Sequence, residues 1–379
     1  MTAHFPKKET GPKVKPAKGK IDKNLLILLS ILILIGLFLI GDVSLIEAEV
    51  KFGDRFHFLK RQSTWVIIGS GLCFLTAKID YSVIRKFARP FFILSLFPLL
   101  LLLIPGVGVT VYGAKRWFDL GFINFQPVEL VKLSSIIYFS SLAVSEEKKT
   151  VWQQLIILLI PGLLVLIEPD FGSLVLLVSS VGLIWFLAEE NLIQLFLLIV
   201  SGLLIGGLLI FTSPYRTERV MGLVNPFHDP QDKSYHVYQL VLTLGSGGWF
   251  GRGMGNSRQK YQYLPEATTD SIVALMAEEF GFLGIFLFLL LFALFVFRCF
   301  RVARLAPDPF CQLLAAGITG LIAFQSIINL GAVAVLLPLT GMPFPFISYG
   351  GSSLITLMTA MGILFNISRY QNKKWLKKS

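Results

Sequence analysis

Residues 25–40 read LLILLSILILIGLFLI, an apolar run without a charged side chain. A helix needs roughly 20 mostly apolar residues to cross the hydrocarbon core of a bilayer, and this run approaches that length. No small-residue cleavage pattern follows it, as one would follow a signal peptide. We therefore expect a first transmembrane helix that is retained in the protein.

The rest of the chain shares this apolar character. Its 379 residues are 54% hydrophobic and 15% charged, with a mean hydropathy of +0.72, whereas about a quarter of the residues in an average soluble domain are charged. The net charge of +11 more often reports topology than nucleic-acid binding in a membrane protein. The composition predicts a multi-pass membrane protein surrounded by lipid, with no nucleic-acid partner.

The lengths of the apolar runs predict an all-α polytopic fold with about ten transmembrane helices. The predicted spans are 25–42, 63–78, 90–105, 128–144, 152–167, 171–188, 191–211, 271–297, 310–337 and 350–367. They form a transmembrane domain over residues 25–368. A disordered basic tail, 1–24, precedes this domain, and a second basic tail, 369–379, follows it.

The distribution of basic residues predicts the orientation. Most of the 34 Lys and Arg residues fall in the segments on the same side as the N-terminus, and that side is cytoplasmic by the positive-inside rule. Both termini are then cytoplasmic. A large loop between helices 7 and 8, residues 212–270, lies outside the cytoplasmic membrane.

Two features of this loop have local signatures. Apolar residues at helical spacing in SYHVYQLVLTL (234–244) predict a short helix lying in the membrane interface. The glycine run GSGGWFGRGMGN (245–256) lacks the Gly-Lys-Ser/Thr ending of a P-loop, so we expect no nucleotide phosphate there.

The stretch YLPEATTDSI (263–272) places Glu266 and Asp270 just before an apolar helix. The simpler interpretation is an acid stabilised by the helix dipole, with a threonine as the cap. The alternative is that the dipole keeps Asp270 ionised as a general base. Deeper in the same helix, Glu278 and Glu279 are expected to pair with a cation from a neighbouring helix, such as Lys132.

The stretch NFQPVELVKL (124–133) places Glu129 and Lys132 one helical turn apart at the start of a span. Two interpretations remain open. The pair neutralises itself so that the helix can insert, or it forms a charged wall of a cavity that opens to the outer face.

Basic residues are concentrated in the outer segments: Lys115, Arg116, Arg216, Arg219, Arg252, Arg258 and Lys260. A lipid-linked diphosphate would suit such a cluster, because guanidinium groups match phosphate oxygens. The outer histidines show no metal-ligand spacing, and there is no Asp-x-Asp pair for a nucleotide-sugar metal.

Six motifs follow one another along the chain in the order of a known family. They are GAKRW (113–117), FQPVELVK (125–132), EPDFGS (168–173), NPFHDPQDKSYHVYQL (225–240), GNSRQKYQYLPEATTDSIVALMAEEFGFLG (255–284) and PFISYGGSS (345–353). With these motifs the sequence resembles the SEDS family, the FtsW/RodA/SpoVE polymerases of bacterial cell-wall synthesis. GNSRQK before YLPEA is more similar to the FtsW branch than to RodA.

The resemblance implies about ten transmembrane helices and a peptidoglycan glycosyltransferase. Such an enzyme joins the disaccharide units of lipid II on the outer face of the bacterial cytoplasmic membrane. It also implies that Asp270 is the essential residue. The other site residues carried over from the family motifs are Glu266, Arg116, Trp117, Glu129 and Lys132.

The joint hypothesis is that Asp270 acts as general base while undecaprenyl diphosphate leaves. Arg and Lys side chains, together with a divalent cation (Mg²⁺ or Mn²⁺) if one binds, would offset the negative charge of the leaving diphosphate. The resemblance implies a class B penicillin-binding protein, the transpeptidase, as partner, together with other proteins of the division or elongation machinery. A lipid II flippase and a structural scaffold of that machinery remain the alternatives.

Overall fold

The computed structural model describes residues 19–370, except for 112–113, 120, 122–123, 147–149, most of 189–213, 228, 230, 232–233 and 262. Its helices are α1 (Lys23–Val43), α2 (Leu45–Phe52), α3 (His57–Lys78), α4 (Tyr81–Lys86), α5 (Ala88–Leu102), α6 (Pro127–Ala143), α7 (Val151–Ile167), α8 (Phe171–Leu187), α9 (Pro214–Val224), α10 (Tyr235–Gly247), α11 (Ile272–Arg304), α12 (Pro309–Val333) and α13 (Gly351–Ser368). The predominantly helical, polytopic architecture predicted from the sequence is confirmed.

Every predicted span except 191–211 overlaps one long helix of this set, while most of that span lies outside the described residues. Among the described helices, α1, α11, α12 and α13 are long and apolar enough to cross a membrane, and α5, α7 and α8 are shorter apolar helices. The helix α3 begins at residue 57 rather than 63, and α12 ends at residue 333 rather than 337. Helices reach beyond the apolar run or stop short of it because local capping and turns decide where they end.

Close helix packing depends on glycine where α13 meets α3. A Cβ on Gly351 would lie 2.7 Å from the Trp65 ring, and one on Gly362 would collide with Thr76 and with the Cys73 carbonyl. Small residues at such crossings let backbones approach, which is how membrane helices gain van der Waals contact without a hydrophobic driving force. The interface between α3 and α13 is therefore set by residue size rather than by hydropathy.

The prediction of an all-α fold was wrong in one segment. Three short antiparallel strands, β1 (Val109–Val111), β2 (Ala114–Asp119) and β3 (Asn124–Phe125), form a sheet in the order β1-β2-β3 between α5 and α6. Val109 pairs with Trp117, and Phe118 pairs with Phe125. β-Branched and aromatic residues favour such pairing, and the segment is too polar to continue a membrane helix.

The helix α11 is broken at Gly281, which has φ +68°. The glycine-rich segment 247–253 runs beside the break and supplies backbone partners. Arg252 N donates to Glu278 O at 2.9 Å, and Phe282 N donates to Gly248 O at 2.9 Å. A Cβ on Gly251 would collide with the Glu279 carbonyl. Glycines are needed here because two backbones are in contact, and a helix in lipid can break only where its freed polar groups are satisfied.

The helix α10 was correctly predicted, and its expected position in the membrane interface stays a prediction. Its apolar residues Val237 and Leu240 are buried. Gly247, at its end, touches the α11 backbone so closely that a Cβ would collide with the Ala277 carbonyl. Periodicity identifies an apolar face but not whether lipid or protein covers it. Here the face packs against α11.

Candidate functional site

Asp270 is held in place through its backbone rather than by a helix cap. It is 8% exposed and precedes α11, whose N-cap is Ser271. The amide of Asn329 on α12 donates to the Asp270 carbonyl at 2.9 Å and to the Met342 carbonyl at 2.8 Å. Tyr349 N donates to the Thr268 carbonyl at 2.9 Å. The acidic stretch is thereby fixed to the segment 340–350 between α12 and α13.

The prediction that a threonine caps α11 was wrong, because the N-cap residue is Ser271 and no side chain caps the helix. The Ser271 hydroxyl lies 2.9 Å from His236 Nε2 instead of capping α11. Thr269 Oγ1 lies 2.8 Å from Glu266 Oε2 and 3.1 Å from Asp270 Oδ1. Glu266 has φ +49°, in the left-handed region that non-glycine residues rarely adopt. This turn places the two carboxylates on either side of one hydroxyl.

The motif EPDFGS, which follows α7, also reaches the segment 340–353. Asp170 caps α8 by accepting from Ser173 N at 3.0 Å, and Gln126 Nε2 donates to Asp170 Oδ2 at 3.3 Å. Gln126 N in turn donates to Ser352 Oγ at 2.9 Å. A Cβ on Gly172 would lie 3.2 Å from the Met342 side chain. Motifs that are far apart in sequence therefore meet at one end of the helical bundle.

Arg116 on β2 also binds the EPDFGS turn. Its Nε donates to the Glu168 carbonyl at 2.9 Å, and its Nη2 donates to the Pro169 carbonyl at 2.6 Å. Lys115 and Trp117, its neighbours on β2, are partly exposed. The strand thus fixes a cationic group against the turn between α7 and α8.

Sequence reasoning missed Glu168. It is 4% exposed, and neither carboxylate oxygen has a hydrogen-bond partner within the described residues. Burial, followed by the charge of Asp170, raises the pKa of Glu168 to about 8, while Arg116 partly opposes this rise. Glu168 begins the motif EPDFGS, but the sequence alone does not show its burial, because only the tertiary contacts bury it.

Glu129 and Lys132 form an ion pair of 2.8 Å on α6, and they are 5% and 2% exposed. The predicted proximity of Glu129 and Lys132 is confirmed. Whether the pair only neutralises itself or also forms a cavity wall stays open. The expectation that Lys132 would serve Glu278 or Glu279 was wrong. A partner one turn away on the same helix has a much lower loop-closure cost than one on another helix.

Two cations from the segment between α10 and α11 lie beside the acids of α11. Arg252 Nε is 3.7 Å from Glu278 Oε1, and Lys260 is more deeply buried. Its Nζ lies 3.5 Å from Glu279 Oε1 and 3.4 Å from Asp42 Oδ1. Lys260 is 8% exposed, so its amine is held inside this network. Glu278 accepts from Ser257 Oγ at 2.5 Å. The network connects α1, the segment between α10 and α11, and the broken helix α11.

The other basic candidates are less closely defined. Arg258 is exposed, and its backbone N donates to Glu278 Oε1 at 3.2 Å. Arg216 and Arg219 belong to α9, but their side chains lie outside the described residues. Their role in anion binding stays a prediction.

A resident metal would need more ligands than the site supplies. Within the part of the chain that the structure describes, no group of three or more His, Cys, Asp or Glu side chains could hold an ion. Glu266 and Asp270 are a pair, so a cation held there would take its remaining ligands from substrate and water.

The family model described as "Cell cycle protein", FtsW/RodA/SpoVE, matches residues 22–373 of this chain. Stage V sporulation protein E of Bacillus subtilis is 37% identical over 360 residues, which cover 93% of this chain and 98% of that protein. The "Probable peptidoglycan glycosyltransferase FtsW" of Pasteurella multocida is 36% identical over 369 residues, covering 95% of this chain and 93% of that one.

Two solved structures are similar along nearly the whole chain. One belongs to a peptidoglycan synthase complex studied for the coordination of polymerization and crosslinking. It has a TM-score of 0.75 and 28% identity, covering 93% of this chain and 99% of that chain. The other is the rod shape determining protein RodA of Thermus thermophilus, with a TM-score of 0.69 and 27% identity, covering 93% and 98%.

Proposed function

Because this chain belongs to the FtsW/RodA/SpoVE family, we propose that it is a peptidoglycan glycosyltransferase that polymerises lipid II on the outer face of the bacterial cytoplasmic membrane. The observation that carries this proposal is the position of Asp270. Its nearly buried carboxylate lies beside Glu266, and contacts through Asn329 and Met342 connect it to the turn that binds Arg116. A carboxylate that can take a proton, together with a fixed guanidinium that can meet an anion, suits a reaction that removes a proton and releases an anion.

In the proposed reaction, the Asp270 carboxylate removes the proton from the 4-hydroxyl of the acceptor's GlcNAc. The oxygen attacks the anomeric carbon of the donor's lipid-linked MurNAc, and the bond from that carbon to the diphosphate oxygen breaks. Undecaprenyl diphosphate leaves with both bonding electrons, and the anomeric configuration is inverted. Asp270 then releases the proton to water, which restores the base.

The basic residues would serve the leaving group. Arg116 uses one Nε–H and one Nη2–H on backbone carbonyls, which leaves its other N–H groups for phosphate oxygens. Lys115, Arg258, Arg216 and Arg219 are proposed to contribute to the same anionic environment. Trp117 would pack against substrate beside Arg116.

The buried ion pairs are proposed to position the site. Lys260 is already engaged by two carboxylates, and Lys132 by Glu129. Moving either lysine to a phosphate would leave a buried acid without a partner, which is costly. Their substrate-binding role, predicted from the sequence, is therefore proposed to be indirect.

A transpeptidase of class B is the proposed partner, as part of a division or elongation assembly. The similarity to a chain of a peptidoglycan synthase complex supports a partner of this kind. The flippase and scaffold alternatives differ from the enzyme in one measurable respect, since neither makes glycan strands.

The test is polymerisation of labelled lipid II by purified wild type, Asp270→Asn and Asp54→Asn, each with and without the transpeptidase, read as ladders on a gel. Asp54 is the matched control, an acid on an exposed loop that pairs with Lys60 at 2.8 Å. We expect glycan ladders from wild type and from Asp54→Asn, and none from Asp270→Asn. A ladder from Asp270→Asn at normal rate refutes the base, and no ladder from folded wild type with its partner refutes the enzyme.

A further inference from the structure

The first two residues of α10, in the SYHVYQL motif, have no part in the proposed reaction, but they contact the segment that carries the candidate base. Tyr235 Oη donates to the Tyr263 carbonyl at 2.8 Å. His236 Nε2 lies 2.9 Å from Ser271 Oγ. These partners are the two ends of the segment 263–271, the acidic turn, which contains both carboxylates of the candidate site. Adjacent residues of one helix therefore hold both ends of the acidic turn.

The contact with His236 takes the Ser271 hydroxyl away from its usual role. A serine at an N-cap normally accepts a hydrogen bond from a backbone N–H of the first helical turn, and the loss of this cap lowers helix stability. Ser271 is the N-cap of α11 and is 1% exposed, yet its side chain makes no capping hydrogen bond. The hydroxyl is thus committed to a contact with another helix instead of to α11 itself.

The backbone of the acidic turn depends on contacts from outside it. Glu266 has φ +49°, and such strain persists in a native protein only where the surrounding contacts over-determine it. Asn329 on α12 holds the Asp270 carbonyl, and the Tyr349 backbone N–H holds the Thr268 carbonyl. These contacts fix the later part of the turn, and the contacts from α10 fix its ends.

The helix α10 is itself fixed to the helix that follows the acidic turn. Its apolar residues Val237 and Leu240 are buried. At its far end, a Cβ on Gly247 would collide with the Ala277 carbonyl of α11. The two contacts made by its first residues therefore come from a support that is packed against α11.

We propose that His236 is a positioning residue, which orients the Asp270 carboxylate toward the acceptor hydroxyl by holding Ser271, the next residue in the chain. This inference rests on the proposed function and assigns α10 a role in it. A general base must lie within hydrogen-bonding reach of the proton that it removes. A displacement of about 1 Å can lower the rate about 100-fold. Tyr235 anchors the other end of the same turn.

The test is the initial rate of glycan synthesis over a range of lipid II concentrations, with the transpeptidase present. His236→Leu keeps the approximate size of the side chain but removes its hydrogen-bonding nitrogen, so kcat should fall about 100-fold. KM should stay within about threefold of wild type, because the orientation of the base acts on the transition state rather than on substrate binding. His236→Gln retains an amide that can donate or accept, so its kcat should stay within about fivefold of wild type.

Further variants separate positioning from a general loss of stability. Thr243→Val is the matched control on α10, because Thr243 is buried and its hydroxyl donates to the Gln239 carbonyl of its own helix at 2.6 Å. It should keep the wild-type kcat. His236→Leu combined with Ser271→Ala should be no slower than His236→Leu alone, because both changes remove the same contact. If the apparent Tm shows that His236→Leu does not fold, Ser271→Ala decides, and a wild-type kcat in that variant would overturn the inference.

Four other results would overturn it: wild-type kcat in folded His236→Leu, equal losses in His236→Leu and His236→Gln, an equal loss in Thr243→Val, or a rise in KM without a fall in kcat. An absence of glycan ladders from wild type is a separate observation, which refutes the proposed function on which the inference rests. Wild-type ladders together with wild-type kcat in folded His236→Leu would retain the polymerase and discard the role of His236.

Discussion

Replacing Asn329 by leucine should displace Asp270 without touching its carboxylate. The Asn329 amide is 1% exposed, and it holds the Asp270 carbonyl at 2.9 Å and the Met342 carbonyl at 2.8 Å. Leucine is similar in size but has no donor. Both carbonyls would lose their partner, and the turn before α11 would no longer be fixed to the segment 340–350.

The chain provides a matched control at another place. Asn366 is fully buried, and its amide donates to the Ala77 carbonyl at 2.9 Å and to the Ile79 carbonyl at 2.6 Å. Hydrogen bonds between membrane helices contribute about 0.6–1.7 kcal/mol each. Asn329→Leu and Asn366→Leu should therefore each lower the free energy of unfolding by about 1–3 kcal/mol.

Activity should separate the two variants. A displacement of about 1 Å at a reacting group can cost about 100-fold in rate, so we expect Asn329→Leu to lose about that much polymerase activity per folded molecule. Asn366→Leu should keep the wild-type rate. The assays are the initial rate on fluorescent lipid II and the apparent Tm in detergent.

Equal rates in these two variants would refute the reasoning. If both were as fast as wild type, Asn329 would not position Asp270. If both were equally slow, the loss would follow from lower stability at any buried asparagine.

Three further predictions concern buried charge and backbone. Lys260→Met should lower the free energy of unfolding by about 3–5 kcal/mol, because Asp42 and Glu279 lose their cation, and the apparent Tm measures this. The folded state raises the pKa of Glu168 from 4.5 to about 8, so between these pH values the folded protein holds a proton that the unfolded chain has released. The resulting contribution to the free energy of unfolding is fully present below about pH 4.5 and is lost as the pH rises to about 8. Glu168→Gln should therefore remove this fall in Tm with rising pH. Gly281→Ala should destabilise the break in α11, because φ is +68° and a Cβ would collide with the backbone of the glycine-rich segment.

Each of these has a result that would contradict it. Neutralising an acid as well, in Lys260→Met with Asp42→Asn, should recover part of the lost stability, and no recovery would argue against the ion network. An unchanged pH slope in Glu168→Gln would assign the slope to another group. A wild-type Tm in Gly281→Ala would mean that α11 can straighten. The control is Gly53→Ala, where φ is +66° but nothing lies within 4 Å of the added Cβ. Its Tm reports the cost of the backbone strain alone.

The sequence alone determined the features that depend on neighbours along the chain. Helix positions follow from runs of apolar residues, so the predicted first span at 25–42 corresponds to α1 at Lys23–Val43. The periodicity of 234–244 predicted α10. The ion pair of Glu129 and Lys132 needs only one helical turn. Several family motifs in one order were also sufficient to identify the family.

Only the tertiary structure decided which distant groups meet. Lys260 contacts Asp42, 218 residues away in the sequence, and Asn329 contacts Asp270 across 59 residues. Neither partner can be read from spacing, because burial and helix packing choose it. The same holds for Glu168, whose pKa is raised by burial and by the charge of Asp170, a setting that only the fold creates. Local chemistry fixed the helices, and the desolvation and contacts created by packing them fixed the site.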